Sequence, residues 1–182
     1  GLEVNVSCPN VECEGMAFGV DPKVVEDVTK AVRKVSDKPI IVKLSPNVTD
    51  IVEIAKAVEA GGGNGVSLIN TLLGMAIDIH RRKPVLGNIY GGLSGPAVKP
   101  VALRMVHQVY KGVTIPIIGL GGIMTGTDAI EFMMAGAQAV QVGTATMVDP
   151  TAISRIAREM SEYVEQYNLN SITDIVGAVH QA

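Results

Sequence analysis

The residues able to do chemistry gather where short apolar runs end. Leu2–Val6 carries Asn5 and is followed by Ser7, Cys8, Pro9 and Asn10. Ile40–Leu44 carries Lys43 and leads to Ser45 and Asn47. Asn70 and Thr71 follow Gly65–Ile69, Gly121 and Gly122 follow Ile115–Gly119, and Gly143 and Thr144 follow Ala139–Val142. Polarity scattered at random would not sort itself to the ends of apolar runs. Cys8 is the one evident proton-transfer group, and a thiol acts as a base only as thiolate; the alternative is an inert, buried cysteine. A lysine just past a buried strand either lays its stem along apolar surface or faces a ligand, and Lys43 fits the second reading better. Asn70-Thr71 offers amides and a hydroxyl to a small polar substrate, or else a capped turn.

The glycines suggest a particular chemistry. Gly119-Leu-Gly121-Gly122 leads into a helix, and Gly143-Thr144 ends the next strand. Such a pair of loops lets backbone N–H groups approach a phosphate, and the helix N-terminus adds a favourable dipole. A dinucleotide fingerprint fits poorly, because no acidic ribose partner follows. Cys8 and Cys13 lack the spacing and companions of a metal site. His80 lies in a basic loop with Arg81, Arg82 and Lys83, His107 in a helix and His180 near the last residue; none is expected to be catalytic.

These loops need elements to hold them. Asp21-Pro22 caps a helix whose apolar residues recur from Val24 to Val35, and Lys38-Pro39 stops it. Thr49 or Asp50 opens a second helix ending at Gly61. Helices are expected at about 100–111 and 126–135, another opens at Asp149-Pro150, and a short one starts near Ser171. The order is β-α five times over, which predicts a parallel sheet with helical crossovers. A doubly wound sheet and part of an eight-stranded barrel both fit, and a complete barrel needs about 250 residues. The segment 70–99 is long enough to be functional. The chain opens within a strand and without Met, which suggests that something precedes it.

The 182 residues suffice for one domain, 47% are hydrophobic, and the net charge of −3 offers nothing to a polyanion. Few aromatics argue further against nucleic acid. No run of about 18 apolar residues suggests a membrane span. Two cysteines make no disulfide framework, so a reducing, cytoplasmic setting is expected.

Asn5-Val-Ser-Cys8-Pro-Asn10, Val-Lys43-Leu-Ser-Pro-Asn, Ile69-Asn70-Thr71, Gly91-Gly-Leu-Ser-Gly95-Pro, Gly-Leu-Gly121-Gly122 and Val-Gly143-Thr144 together resemble the dihydroorotate dehydrogenase family, in that family's order. The resemblance implies a (β/α)8 barrel carrying FMN that oxidises dihydroorotate to orotate in pyrimidine biosynthesis. The thiol implies the soluble class. The Cys8–Gly19 stretch looks most like the NAD-linked catalytic subunit, which works with an iron–sulfur and FAD electron-transfer subunit as a homodimer within a heterotetramer. By the resemblance Cys8 is the base. Asn5, Asn10, Asn70 and Thr71 hold the substrate, and Asn5 also reaches FMN. Lys43 and Ile69 line the flavin, where the lysine's charge favours the reduced ring. Gly95, Gly121, Gly122, Gly143 and Thr144 hold its phosphate. Residues 1–182 are then the C-terminal portion of one FMN-binding barrel domain, about its last five βα units. The competing readings are another phosphate-binding barrel using Lys43 as a Schiff-base nucleophile, and an inactive fragment serving as an oligomeric scaffold.

Overall fold

A computed structural model describes residues 1–7 and 18–181. Cys8, Asn10 and Cys13 lie outside the described residues. The elements run β1 (Leu2–Asn5), α1 (Pro22–Val35), β2 (Ile40–Lys43), α2 (Ile51–Ala60), β3 (Gly65–Leu68), β4 (Leu72–Met75), β5 (Ile77–Asp78), β6 (Lys83–Pro84), β7 (Tyr90–Leu93), α3 (Lys99–Tyr110), β8 (Ile117–Leu120), α4 (Gly126–Met134), β9 (Ala139–Gln141), α5 (Thr144–Val148) and α6 (Ala152–Gln166). Short 3-10 turns precede α3 and follow α6.

Asp21 accepts a hydrogen bond from the Lys23 N–H at the start of α1, and Asp50 does the same for Val52 at α2. Both caps satisfy an N–H that has no partner in the helix. Within α1 the expected apolar stripe is narrower than its valines suggest: Ala31 and Val35 are exposed, while Thr29 is buried and donates its hydroxyl to the Val25 carbonyl at 2.7 Å.

β1, β2, β3, β8 and β9 form one parallel sheet in that order. Sequence order and spatial order coincide, with no reversal. A doubly wound sheet reverses its strand order at a switch point, so that alternative falls. α1, α2, α3 and α4 pack in succession along one face. The fold is therefore an arc of a (β/α)8 barrel. Val42, Val66, Leu68 and Ile117 face the helices and are fully or almost fully buried. The alternation places Glu3, Asn5, Ile41, Lys43, Ser67, Ile118, Leu120 and Gln141 on the opposite, inner face.

The segment between β3 and α3 is structured. β4 pairs antiparallel with β7, and the two-residue strands β5 and β6 pair beyond them. The helix expected to open at Asp149-Pro150 is α6, and an additional one-turn helix precedes it. α5 occupies 144–148, and Asp149 turns the chain by accepting hydrogen bonds from the Thr151 N–H and hydroxyl before α6 begins. Near Ser171 a 3-10 turn forms with the capping box that Ser171 and Asp174 predict.

Candidate active site

The cleft at the carboxyl ends of the strands is lined by Lys43, Ile69, Asn70, Thr71, Gly95, Gly121, Gly122, Gly143 and Thr144. Five strand-end segments, far apart in sequence, meet there. The cleft encloses about 140 Å³ and is open to solvent, below the roughly 300–1,000 Å³ of small-ligand sites.

The residues expected on the substrate side hold one another. Asn5 stands at the end of β1, in register with Lys43 on β2. It does not line the cleft. Its Oδ1 accepts from the Ser7 N–H at 3.0 Å and the Ser7 hydroxyl at 2.6 Å, fixing the turn that leads to Cys8. Asn70 Nδ2 donates to the Ser7 carbonyl at 2.7 Å, so β3 reaches the same turn. Asn47 donates to the Thr71 carbonyl at 3.1 Å and accepts from the Leu73 N–H at 2.9 Å. The turn reading of Asn70-Thr71 thus gives way to a braced one, in which a neighbouring amide sets the backbone and Thr71 still lines the cleft.

The glycine rim has a different logic. Gly122 has φ +77, and a Cβ there would lie 2.7 Å from the Gly95 carbonyl oxygen and 2.9 Å from the Lys99 nitrogen. Only glycine fits that backbone. Gly143 has a negative φ, and a Cβ there would meet nothing within 4 Å. Space beside Gly143 is therefore available to a ligand. The N–H groups of Gly122 and Gly143 have no acceptor among the described residues. The Thr144 hydroxyl donates to Ser94 Oγ at 2.9 Å. Backbone donors with two hydroxyls make a donor set suited to a mononucleotide phosphate.

One expectation is corrected here. The N-terminus of α4 is taken by the protein's own carboxylates. Asp128 Oδ2 accepts from the Met124 and Thr125 N–H groups, each at 2.9 Å, and Glu159 accepts from the Gly126 N–H. The α4 dipole is spent on these anions, so the rim offers a ligand its glycine amides instead. Asp128 Oδ1 also takes Lys99 Nζ at 2.6 Å, and Glu131 takes the same ammonium at 2.9 Å. Burial alone would raise the Asp128 carboxyl, but the bonds from Lys99, Met124 and Thr125 outweigh it and hold it below the ordinary range. The Lys99 ammonium is held up by Asp128 and Glu131.

Leu93, Ser94, Val98, Leu120, Ile123 and Gln141 also line the cleft. Ser94 was visible inside the Gly91–Pro96 motif. Gln141 is found by strand alternation, since it faces inward two residues before Gly143. Its Nε2 donates to Glu3 at 3.4 Å, and the buried Ser67 hydroxyl donates to the same carboxylate. His80, Arg81, Arg82 and Lys83 are exposed and absent from the cleft. His107 and His180 stack with ring centroids 4.2 Å apart, away from the cleft. Among the described residues no helix is long and apolar enough to cross a membrane.

A family model described as dihydroorotate dehydrogenase matches residues 1–164. The catalytic subunit of dihydroorotate dehydrogenase B (NAD(+)) from Alkaliphilus metalliredigens is 61% identical over 98% of this chain and 59% of that protein. The protein of the same name from Desulforamulus reducens is 63% identical over 98% of this chain and 59% of its own length. A crystal structure described as DHODH in complex with ferulenol, from Eimeria tenella, superposes with a TM-score of 0.80, at 24% identity, over 99% of this chain and 54% of that one. That likeness concerns the fold. The chain spans 59% of the length of these two curated relatives.

Proposed function

Because the chain belongs to the dihydroorotate dehydrogenase family, we propose that it supplies most of an FMN site and the proton-transfer residue for oxidation of dihydroorotate to orotate. Residues 1–182 would be the C-terminal portion of one barrel domain, since five parallel strands make an arc and closure takes eight. The observation that carries the reading is the cleft itself: a half-buried lysine, a braced amide turn and a glycine rim whose N–H groups have no acceptor among the described residues share one wall.

FMN, when bound, provides acceptance of the hydride leaving C6 of dihydroorotate. The chain's own residues do the rest. Cys8, as thiolate, takes the proton from C5. Asn10, Asn70 and Thr71 hold the pyrimidine and its carboxylate, while Asn5, expected to touch substrate and flavin but outside the cleft lining, braces Ser7. Lys43 sets positive charge where the flavin gains negative charge, and Ile69 packs beside the ring. Gly95, Gly121, Gly122, Gly143 and Thr144 hold the phosphate. Electrons would pass through an iron–sulfur and FAD subunit to NAD, in a heterotetramer built on a homodimer in the cytoplasm. The word "subunit" in the relatives' names supports a partner of some kind.

The test is the full-length protein under anaerobic conditions. It should carry a visible flavin band that dihydroorotate bleaches. A colourless protein that takes up no added FMN, yet is labelled at Lys43 by borohydride with a carbonyl substrate, would replace this reading with the Schiff-base one.

A further inference from the structure

We propose that Arg155 is a positioning residue for the phosphate rim. It couples the loop after β8 to the turn after α5, so that the N–H groups of Gly122 and Gly143 converge on one phosphate monoester. The inference rests on the mononucleotide reading of the cleft.

Arg155 stands on α6 and does not line the cleft. Its Nη2 donates to the Met124 carbonyl at 3.1 Å, two residues beyond Gly122. Its Nε lies 3.5 Å from Asp149, the residue that ends α5, whose first residue is Thr144. Its Nη1 donates to Glu159 at 3.0 Å, and Glu159 in turn accepts from the Gly126 N–H. One guanidinium therefore joins the loop after β8 to the far end of α5, the one-turn helix that starts at Thr144 beside Gly143. Three acceptors in different directions suit a planar fork of fixed donors, which an ammonium cannot reproduce. The cluster of one arginine with Asp149 and Glu159 is net negative, so it cannot itself attract a phosphate. Its contribution is geometry. α6 packs through Ala152 and Ile156, both buried, and does not need Arg155 for its seat.

The test uses full-length apoprotein and two ligands that differ only by the phosphate, FMN and riboflavin. Flavin fluorescence gives both dissociation constants, and their ratio reports the phosphate contacts alone. Arg155→Gln should weaken FMN by about tenfold, as loss of a charge-assisted hydrogen bond does, and leave riboflavin unchanged. Arg155→Lys should lose less. Asp149→Asn, which cuts the other end of the link, should show the same phosphate-selective loss and carries the test if Arg155→Gln fails to fold. A general structural role would weaken both ligands together and overturn the proposal. Gly143→Val is the reference. An unchanged ratio in the Arg155 and Asp149 variants, with a lowered preference for FMN in Gly143→Val, would overturn the coupling and leave the phosphate site standing. An unchanged ratio in Gly143→Val as well would remove the phosphate from this rim, and the coupling with it.

Discussion

A thiol beside amides and hydroxyls has no built-in base, so its usefulness depends on how readily it ionises. Cys8→Ala in the full-length protein should slow flavin reduction by dihydroorotate by about 10²–10⁴-fold, the usual share of a general base. Cys8→Ser should keep some activity, shifted to higher pH, and FMN affinity should hardly change. Stopped-flow reduction checks this, and an unaltered rate in Cys8→Ala would remove Cys8 from the chemistry. The two rim glycines should respond differently to valine. At Gly122 the positive φ and the contact with the Gly95 carbonyl mean that valine strains the loop as well as the site. At Gly143 there is open space, so Gly143→Val should weaken FMN binding with little change in melting temperature, measured by titration and calorimetry. Sequence spacing pointed to both glycines but could not tell them apart. The distinction lies in φ and in neighbours contributed by other segments.

The element that orders the rim is the capping box of α4. Asp128 gathers two loop N–H groups and the Lys99 ammonium, which ties the start of α4 to the start of α3. Its carboxyl is held below the ordinary range, so its contribution is complete above the unfolded value of about 3.9 and fades as pH falls through the lower, folded value. Acid unfolding of Asp128→Asn should therefore lose part of the parent's steepness below about pH 4, and the variant should be less stable at pH 7; identical acid limbs would refute this. Caps and strand ends were readable because they depend on local spacing, as at Asp21, Asp50 and Ser171. α5 was not readable, because Thr144–Val148 makes only one helical turn between two loops and shows no periodicity. The β4–β7 ladder was hidden by its glycines and exposed apolar residues, which carry no clean alternation. Arg155 and Glu159 were hidden for another reason, as was the bracing role of Asn47: each acts through a partner 24 or more residues away.

At the scale of the molecule, β1 and β9 each pair on one side only among the described residues. Unpaired N–H and C=O rows recruit other strands. The inner face carries Glu3, Asn5, Lys43, Ser67 and Gln141 among its apolar residues, so it supplies less drive for association than the edges do. The β4–β7 ladder adds exposed Leu73, Met75, Tyr90 and Leu93. The 182-residue polypeptide, prepared alone, should sediment above its 19.1 kDa mass and fail to oxidise dihydroorotate. A soluble monomer that turns over substrate would refute this.

The pairing of β3 with β8 also has a consequence in time. Val42 meets Val66 soon after it in the chain, while Val66 meets Ile117 only after the whole β4–β7 excursion and α3. Doubling a loop costs only about 0.6 kcal/mol of closure entropy, so the finished sheet tolerates the detour. Rates are less forgiving, because non-local pairing slows folding. Pulsed hydrogen exchange during refolding should protect amides of β2 and β3 before those of β8; simultaneous protection would refute that order. The glycine rim belongs to the late half, so a newly made chain would pass through a stage with its first helices seated and no grip yet on a phosphate.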